Sequence, residues 1–457
     1  MLLIKLLIKQ SYFCAWIPYL LICFLLLRTN WLICSSYSIL TNLTHDYDIF
    51  HGQEYISKDL YFEEHTGEVV TNGDNPENIL NTNPEVLIES RTLDPYLNFF
   101  GIDLNSGSSR KGKERETEEE VLVNPFKNYV KITHYIESDF TGDGQDELIY
   151  RFIAIGDTGG QPIEPYVSEM QLKVAETMKE FVIINKTSVL LLGDNFYADG
   201  VEDIKDDRFK ITFENVYLGP LKDINWYVIA GNHDYRGNVT AQMEYRKKSE
   251  RWKYPDLYYK IGLMIDIKYR DNESLKESIV IDVLMLDTNV LINKGSNGLE
   301  EEKYVNEDSQ LHHKQWLYNH MSMADFLVVA GHHPIYSFGV AGATKLLQFL
   351  NPWLRDNMAS LFICGHDHDL QYIEEDTDNI TMKYAVFGSG SKLDLQRRIY
   401  PYANERKIFR YAEKGGFGLL NFMYPSKRLV VAYYNEDGVF LYRKKIYRRN
   451  QQFYQNK

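Results

Sequence analysis

VLLLGDNFY, residues 189–197, is the stretch whose reading settles the architecture. Residues 189–192 are apolar, short and without helical spacing, which reads as a buried strand. Gly193 lets the chain turn sharply, and Asp194, Asn195 and Tyr197 then stand at the strand's carboxyl end. The same device recurs on both sides. LIYRFIAI (148–155) runs into Gly156-Asp157-Thr158-Gly159, and WYVIA (226–230) into Gly231-Asn232-His233-Asp234. FLVVA (326–330) runs into Gly331-His332-His333-Pro334, and SLFIC (360–364) into Gly365-His366-Asp367-His368. A further strand is expected over 278–286, and helical spacing marks 168–183, 309–322 and 344–357. Strands alternating with helices predict an α/β fold. After Lys383 four β-rich runs, with no long helical pattern between them, predict an antiparallel finish.

In open α/β sheets ligands bind outside the carboxyl ends of the strands, so the five clusters should converge. Of 12 histidines in the chain, five lie in the three clusters that carry any, beside aspartates, an asparagine and a tyrosine. Singly each motif is an ordinary glycine turn; together they supply the residue types that ligate metal. Composition excludes one rival class. Lys+Arg 50 against Asp+Glu 64 in 457 residues gives a net charge of −14, unsuited to neutralising nucleic-acid phosphates.

In this order the clusters resemble the metallophosphoesterase superfamily, and within it the tartrate-resistant, type 5 purple acid phosphatases of animals. GDNFYADGVEDIKDDRFKITFENVY from Gly193, GNHDYRGNVTAQMEYRKKSERWKYPDLYYKI from Gly231, MLDT at 285–288 and CGHDHDLQY at 364–372 carry the similarity, which spans residues 148–449. The resemblance implies a four-layer α/β/β/α sandwich with two mixed sheets. It also implies a binuclear centre, with Asp157, Asp194, Tyr197 and His368 around one metal. Asp194, Asn232, His332 and His366 would surround the other, Asp194 bridging. Two carboxylates and a phenolate favour Fe(III) in the first site, and the second set suits Fe(II), Zn(II) or Mn(II). Gly159 stands where superfamily diesterases and nucleases carry a histidine, and Tyr197 looks like the substitute ligand, whose phenolate on Fe(III) would colour the protein purple. The implied activity is hydrolysis of phosphomonoesters, small molecules or phosphoproteins, by in-line attack of a metal-bound hydroxide. Asn232 would help orient substrate. His233 would bind phosphate and protonate the leaving group at mildly acidic pH.

Other residues are expected in supporting positions. Asp234 and Asp367 either orient neighbouring histidines or serve as turn carboxylates, and His333 is structural. The family's second histidine falls on Ala341, and its disulfide partner for Cys364 falls on Ile292, so the resemblance implies a free cysteine. Residues 293–310 take the place of a loop that overhangs the site in the animal enzymes, with glutamates expected to be solvated.

Residues 1–38 hold an apolar run at 13–27 behind Lys5 and Lys9, followed by Arg28 and small residues. That reads as a signal peptide, with an uncleaved membrane anchor as the alternative, and implies the secretory pathway, secreted or lumenal/vacuolar. Cys14, Cys23 and Cys34 lie there too, so the rest of the chain has no disulfide framework. Sequons at Asn42, Asn185, Asn238, Asn272 and Asn379 fit a secreted glycoprotein. The expected organisation is a leader at 1–38, an acidic, largely irregular and partly disordered extension at 39–147, a phosphoesterase domain at 148–449 and a polar tail at 450–457. Asp139, Thr141, Asp143 and Gly144 outline a calcium-loop pattern, but Tyr150 stands where its last carboxylate belongs, so a solvated turn is expected. A monomer is expected. Two competing readings remain: a phosphatase-like membrane anchor of the glideosome-associated type, disfavoured by the complete ligand set, and a diesterase or nuclease, disfavoured by Gly159, Tyr197 and the acidic charge.

Overall fold

Alternate side chains along the inner strands pack in opposite directions, and this builds the layers. In FLVVA, Phe326, Val328 and Ala330 enter one apolar core while Leu327 and Val329 enter a second. SLFIC divides likewise, with Leu361 and Ile363 on one side and Phe362 and Cys364 on the other. A strand apolar on both faces must be covered on both. The first core fills the space between two sheets and continues over the outer face of one of them, and the second is closed by helices Glu307–Asn319 and Thr344–Asp356, through Leu317, Leu346, Leu350, Trp353 and Leu354. Helix Glu169–Met178 sends Val174, Ala175 and Met178 into the first core, and Ser168 caps it by accepting from the Gln171 N–H at 3.1 Å.

This computed structural model describes residues 129–137, 146–292, 301–320, 322–339, 344–377, 380–395 and 406–449, all within one compact unit, Arg115–Lys457. One sheet has seven strands in the order β15 (Phe440–Tyr447), β14 (Arg428–Asn435), β13 (Gly416–Tyr424), β2 (Glu147–Ile155), β3 (Thr187–Leu192), β4 (Trp226–Ile229) and β5 (Trp252–Lys253). The other has eight: β1 (Val130–Ile136), β6 (Tyr259–Tyr269), β7 (Leu275–Met285), β8 (Phe326–Ala330), β9 (Leu361–Cys364), β11 (Ile380–Phe387), β10 (Leu370–Thr377) and β12 (Arg406–Tyr411). Both are mixed. β2 to β5 run parallel while β13 joins β2 antiparallel, and β7, β8 and β9 run parallel while β6 and β7 are antiparallel. This is the α/β/β/α arrangement the resemblance implies.

The expected strands form; β5, β10 and β12 are additional, and three further differences bear on the fold. The finish is split: β13 to β15 make an antiparallel meander, whereas β11 crosses to the other sheet and lies parallel to β9. β6 is a long strand whose alternating Tyr259, Ile261, Leu263, Ile265 and Ile267 face the inter-sheet core. β1 comes from the stretch read as irregular extension, and pairs parallel with β6 from Val130↔Leu263 to Ile136↔Tyr269. Tyr150 is a buried strand residue whose hydroxyl meets that of Ser188 at 2.7 Å, so it belongs to the sheet and not to a calcium loop. The leader, residues 39–128, residues 138–145 where a solvated turn was expected, residues 293–300, Ala341, Asn42, Asn379 and the tail lie outside the described residues. Among those described, no helix is long and apolar enough to cross a membrane.

Candidate metal centre

All five clusters meet at one end of the two sheets. Asp157 follows β2, Asp194 follows β3, Asn232 follows β4, His332 follows β8, and His366 and His368 follow β9. Asp157, Asp194 and His366 have φ of 57°, 53° and 73°, left-handed values that non-glycine residues adopt at a cost of order 1–3 kcal/mol. Hydrogen bonds between the turns hold them. The Asp157 N–H donates to Gly193 O at 2.9 Å, the His366 N–H to Asp157 Oδ2 at 2.7 Å, and the His233 N–H to Asp194 Oδ1 at 2.9 Å. Each aspartate is therefore aimed by a neighbouring turn.

The donors form two groups. In one, Tyr197 Oη lies 2.9 Å from Asp157 Oδ1 and 3.3 Å from His368 Nε2, and His368 Nε2 lies 3.4 Å from Asp157 Oδ1. In the other, His332 Nε2 lies 3.1 Å from Asn232 Oδ1, 3.2 Å from His366 Nδ1 and 3.4 Å from Asp194 Oδ1. Ligand atoms about 2.0–2.2 Å from a single ion are separated by roughly 3.0–3.6 Å, so each group has the spacing of a shell around one cation. Ligand atoms of Asp157, Asp194 and His332 lie within 4.8 Å of one another, which joins the groups. The donor chemistry also fits. His332 Nδ1 is 2.8 Å from Leu192 O, which fixes the proton there and leaves the Nε2 lone pair facing an amide oxygen, a carboxylate oxygen and another imidazole. Converging acceptors repel unless a cation or a proton sits among them.

Electrostatics agree. Burial alone would raise the Asp194 carboxyl, but His332, His233 and His366 and the His233 N–H overrule it and bring it to about 2. Burial would lower His332, but Asp194 and Asp157 raise it. Tyr197 is pushed well above the ordinary phenol value by burial and then by Asp157 and Asp194. It ionises only against strong positive charge, which suits a hard, highly charged ion on its side.

Gly159 and Tyr197 fit together. A Cβ on Gly159 would come 2.5 Å from the Tyr197 N and 2.9 Å from its Cδ2, so the position cannot carry a histidine while Tyr197 holds this place. Gly231 is as constrained, since a Cβ there would lie 2.2 Å from Asp194 Oδ1.

The supporting residues differ in part from expectation. Asp234 is a buried brace that orients no histidine. It accepts from the N–H groups of Gly231 (2.8 Å) and Asn195 (3.1 Å) and from Gln242 Nε2 (2.9 Å), tying the β3 and β4 turns together. Burial and then Asp194 push its carboxyl up to about 7. His333 is structural, its Nδ1 2.8 Å from Thr288 Oγ1. Asp367 is buried against Gly339, where an added Cβ would meet its Cγ at 2.5 Å. Thr288, unnoticed in the sequence beyond its place in MLDT, accepts from the N–H groups of both His332 and His333, at 3.2 and 3.0 Å. Lys392 was also missed; its Nζ lies 3.5 Å from the centroid of the Tyr197 ring. No short motif marks either residue, because each reaches the site only through the fold. Cys364 is free and buried, and Ile292 is buried in the same core.

The profile of the calcineurin-like phosphoesterase family matches residues 150–370. Human tartrate-resistant acid phosphatase type 5 is 33% identical over 315 residues, covering 65% of this chain and 91% of the human protein. The chain belongs to the purple acid phosphatases. Within that family, purple acid phosphatase 7 of Arabidopsis thaliana is 29% identical over 274 residues, covering 57% of this chain and 76% of the plant protein. Among solved structures, "GAP50 the anchor in the inner membrane complex of Plasmodium" shares the fold, with a TM-score of 0.54 at 24% identity, over 66% of this chain and 90% of that one.

Proposed function

We propose that this purple acid phosphatase family member hydrolyses phosphomonoesters at a two-cation centre and enters the secretory pathway through residues 1–38. The observation that carries the activity is the convergence of seven donor side chains from five strand ends, in two groups each spaced for one ion. Asp157, Tyr197 and His368 would hold one cation, Asn232, His332 and His366 the other, and Asp194 would serve both. Anionic oxygens suit Fe(III) on the first side; the amide and imidazoles suit Fe(II), Zn(II) or Mn(II) on the second. When bound, the pair supplies charge to the phosphoryl oxygens and makes water nucleophilic in acid.

The chain's own groups complete the reaction. Asn232 turns its amide oxygen to His332, so its NH2 is the end that can donate to a phosphoryl oxygen. His233 Nδ1 is 2.5 Å from Ala198 O and is the donor there, which leaves Nε2, 3.9 Å from Asp194 Oδ2, to face the substrate. A proton on Nε2 passes to the leaving oxygen. Burial lowers this imidazole, and Asp194 and the Ala198 carbonyl only partly offset it, so the acid form is available on the acid side of the usual 6.5. Catalysis therefore already weakens before pH reaches that value.

Hydrolysis of p-nitrophenyl phosphate and of its bis ester at about pH 5 tests the reading. A monoesterase turns over the first far faster. Preference for the bis ester would favour a diesterase, and no turnover of either by metallated protein would leave the non-catalytic anchor.

A further inference from the structure

Lys392 is a partly buried ammonium held over the candidate centre by a segment that is itself tightly fixed. Residues 388–394 fold back across the turns that carry the ligands. The Gly390 N–H donates to Gly156 O at 3.2 Å, Ser391 Oγ donates to Asp157 O at 2.6 Å, and the Asp394 N–H donates to His368 O at 3.1 Å. Those three anchors bracket Lys392, so its place is set by the same turns that aim Asp157 and His368. Its Nζ lies over the face of Tyr197, while His233 meets the same ring edge-on with centroids 4.9 Å apart. Among the described residues it has no ion-pair partner. The anions it feels most are Asp157 and Asp194, which the proposed cations would neutralise.

A fixed ammonium without a carboxylate of its own, at the rim of a phosphate site, lacks only an anion. We propose that Lys392 contacts a non-bridging phosphoryl oxygen of the substrate and so favours the doubly charged monoester over the singly charged diester. This deepens the phosphatase reading and rests on it. A monoester presents three non-bridging oxygens and, once its second proton is lost at about pH 6, two charges. A diester presents two such oxygens and one charge, and its second substituent must occupy the place of the third oxygen. An ammonium serves here as a compact point charge, and arginine in its place keeps the charge with a different reach.

The test compares wild type, Lys392→Met and Lys392→Arg as metallated full-length protein. Calorimetry gives the affinity for inorganic phosphate, metal analysis gives occupancy, and kinetics give kcat/KM for p-nitrophenyl phosphate and its bis ester. The expected result is phosphate affinity about tenfold weaker in Lys392→Met, equivalent to about 1.4 kcal/mol. Metal content should be unchanged, the monoester-to-diester ratio lower by a similar factor, and both should recover largely in Lys392→Arg. Phosphate affinity equal to that of wild type would overturn the assignment, as would a loss that merely follows loss of metal. If wild-type protein neither binds phosphate nor turns over the monoester, the phosphatase reading itself falls, an outcome separate from the variant comparison.

Discussion

Tyr197 and Gly159 occupy one space between them, and this pairing sets the character of the first cation group. Tyr197→Phe removes a phenol oxygen 2.9 Å from Asp157 Oδ1 while keeping the ring that His233 meets edge-on. If that phenolate ligates Fe(III), the variant loses visible absorption while its far-ultraviolet circular dichroism stays that of wild type; an unchanged spectrum would remove Tyr197 from the ligand set. His233→Ala should cut turnover by about 10²–10⁴ with metal content intact, the usual contribution of a positioned acid. Loss of metal in that variant would reassign His233. Asp287 offers a test of stability away from the donors. It is fully buried and accepts from Tyr235 Oη at 2.6 Å, and burial raises it from 3.8 to about 6. In that window the native state keeps a proton that the unfolded chain has released, so stability falls as pH rises from about 4 to about 6. Replacing it by Asp287→Asn removes this component, so the unfolding free-energy difference from wild type should drift by up to about 3 kcal/mol across the window. A pH-independent difference in urea titrations would contradict the assignment.

At the scale of elements, the site depends on an aromatic layer behind the β3 and β4 turns. Phe213 packs edge-on against Trp252 (4.8 Å) and Trp226 (5.1 Å), and Phe209 stacks on Tyr245 at 3.9 Å. Phe213→Ala should cost about 3–5 kcal/mol of stability, measured by urea unfolding, and a cost below about 1 kcal/mol would mean that this layer is not rigid. The strands bearing ligands were legible in the sequence because each is a short apolar run closed by glycine and polar donors. β1 was not, because VKITHYI is brief and set in a polar stretch, and its role as an edge strand depends on β6 beside it. Lys392 and Thr288 were equally hidden. Their contacts join residues far apart in the chain, and neither type is in itself a metal ligand. For Asp234 the sequence left two roles open, and only the fold decides between them, because its carboxylate faces backbone N–H groups of the β3 and β4 turns.

For the molecule as a whole, two sheets bring five strand ends to one place, and the negative carboxylates gathered there are tolerable only with balancing positive charge. Function therefore reduces to whether cations occupy the two donor groups and whether hydrolysis depends on them. The direct measurement is metal content by mass spectrometry on the same samples assayed with p-nitrophenyl phosphate, before chelation, after it and after metal is restored. Two ions per chain are expected, with activity that disappears with them and returns with them, and sharply reduced content in Asp194→Ala. Hydrolysis that continues at the original rate in metal-free protein would contradict this expectation.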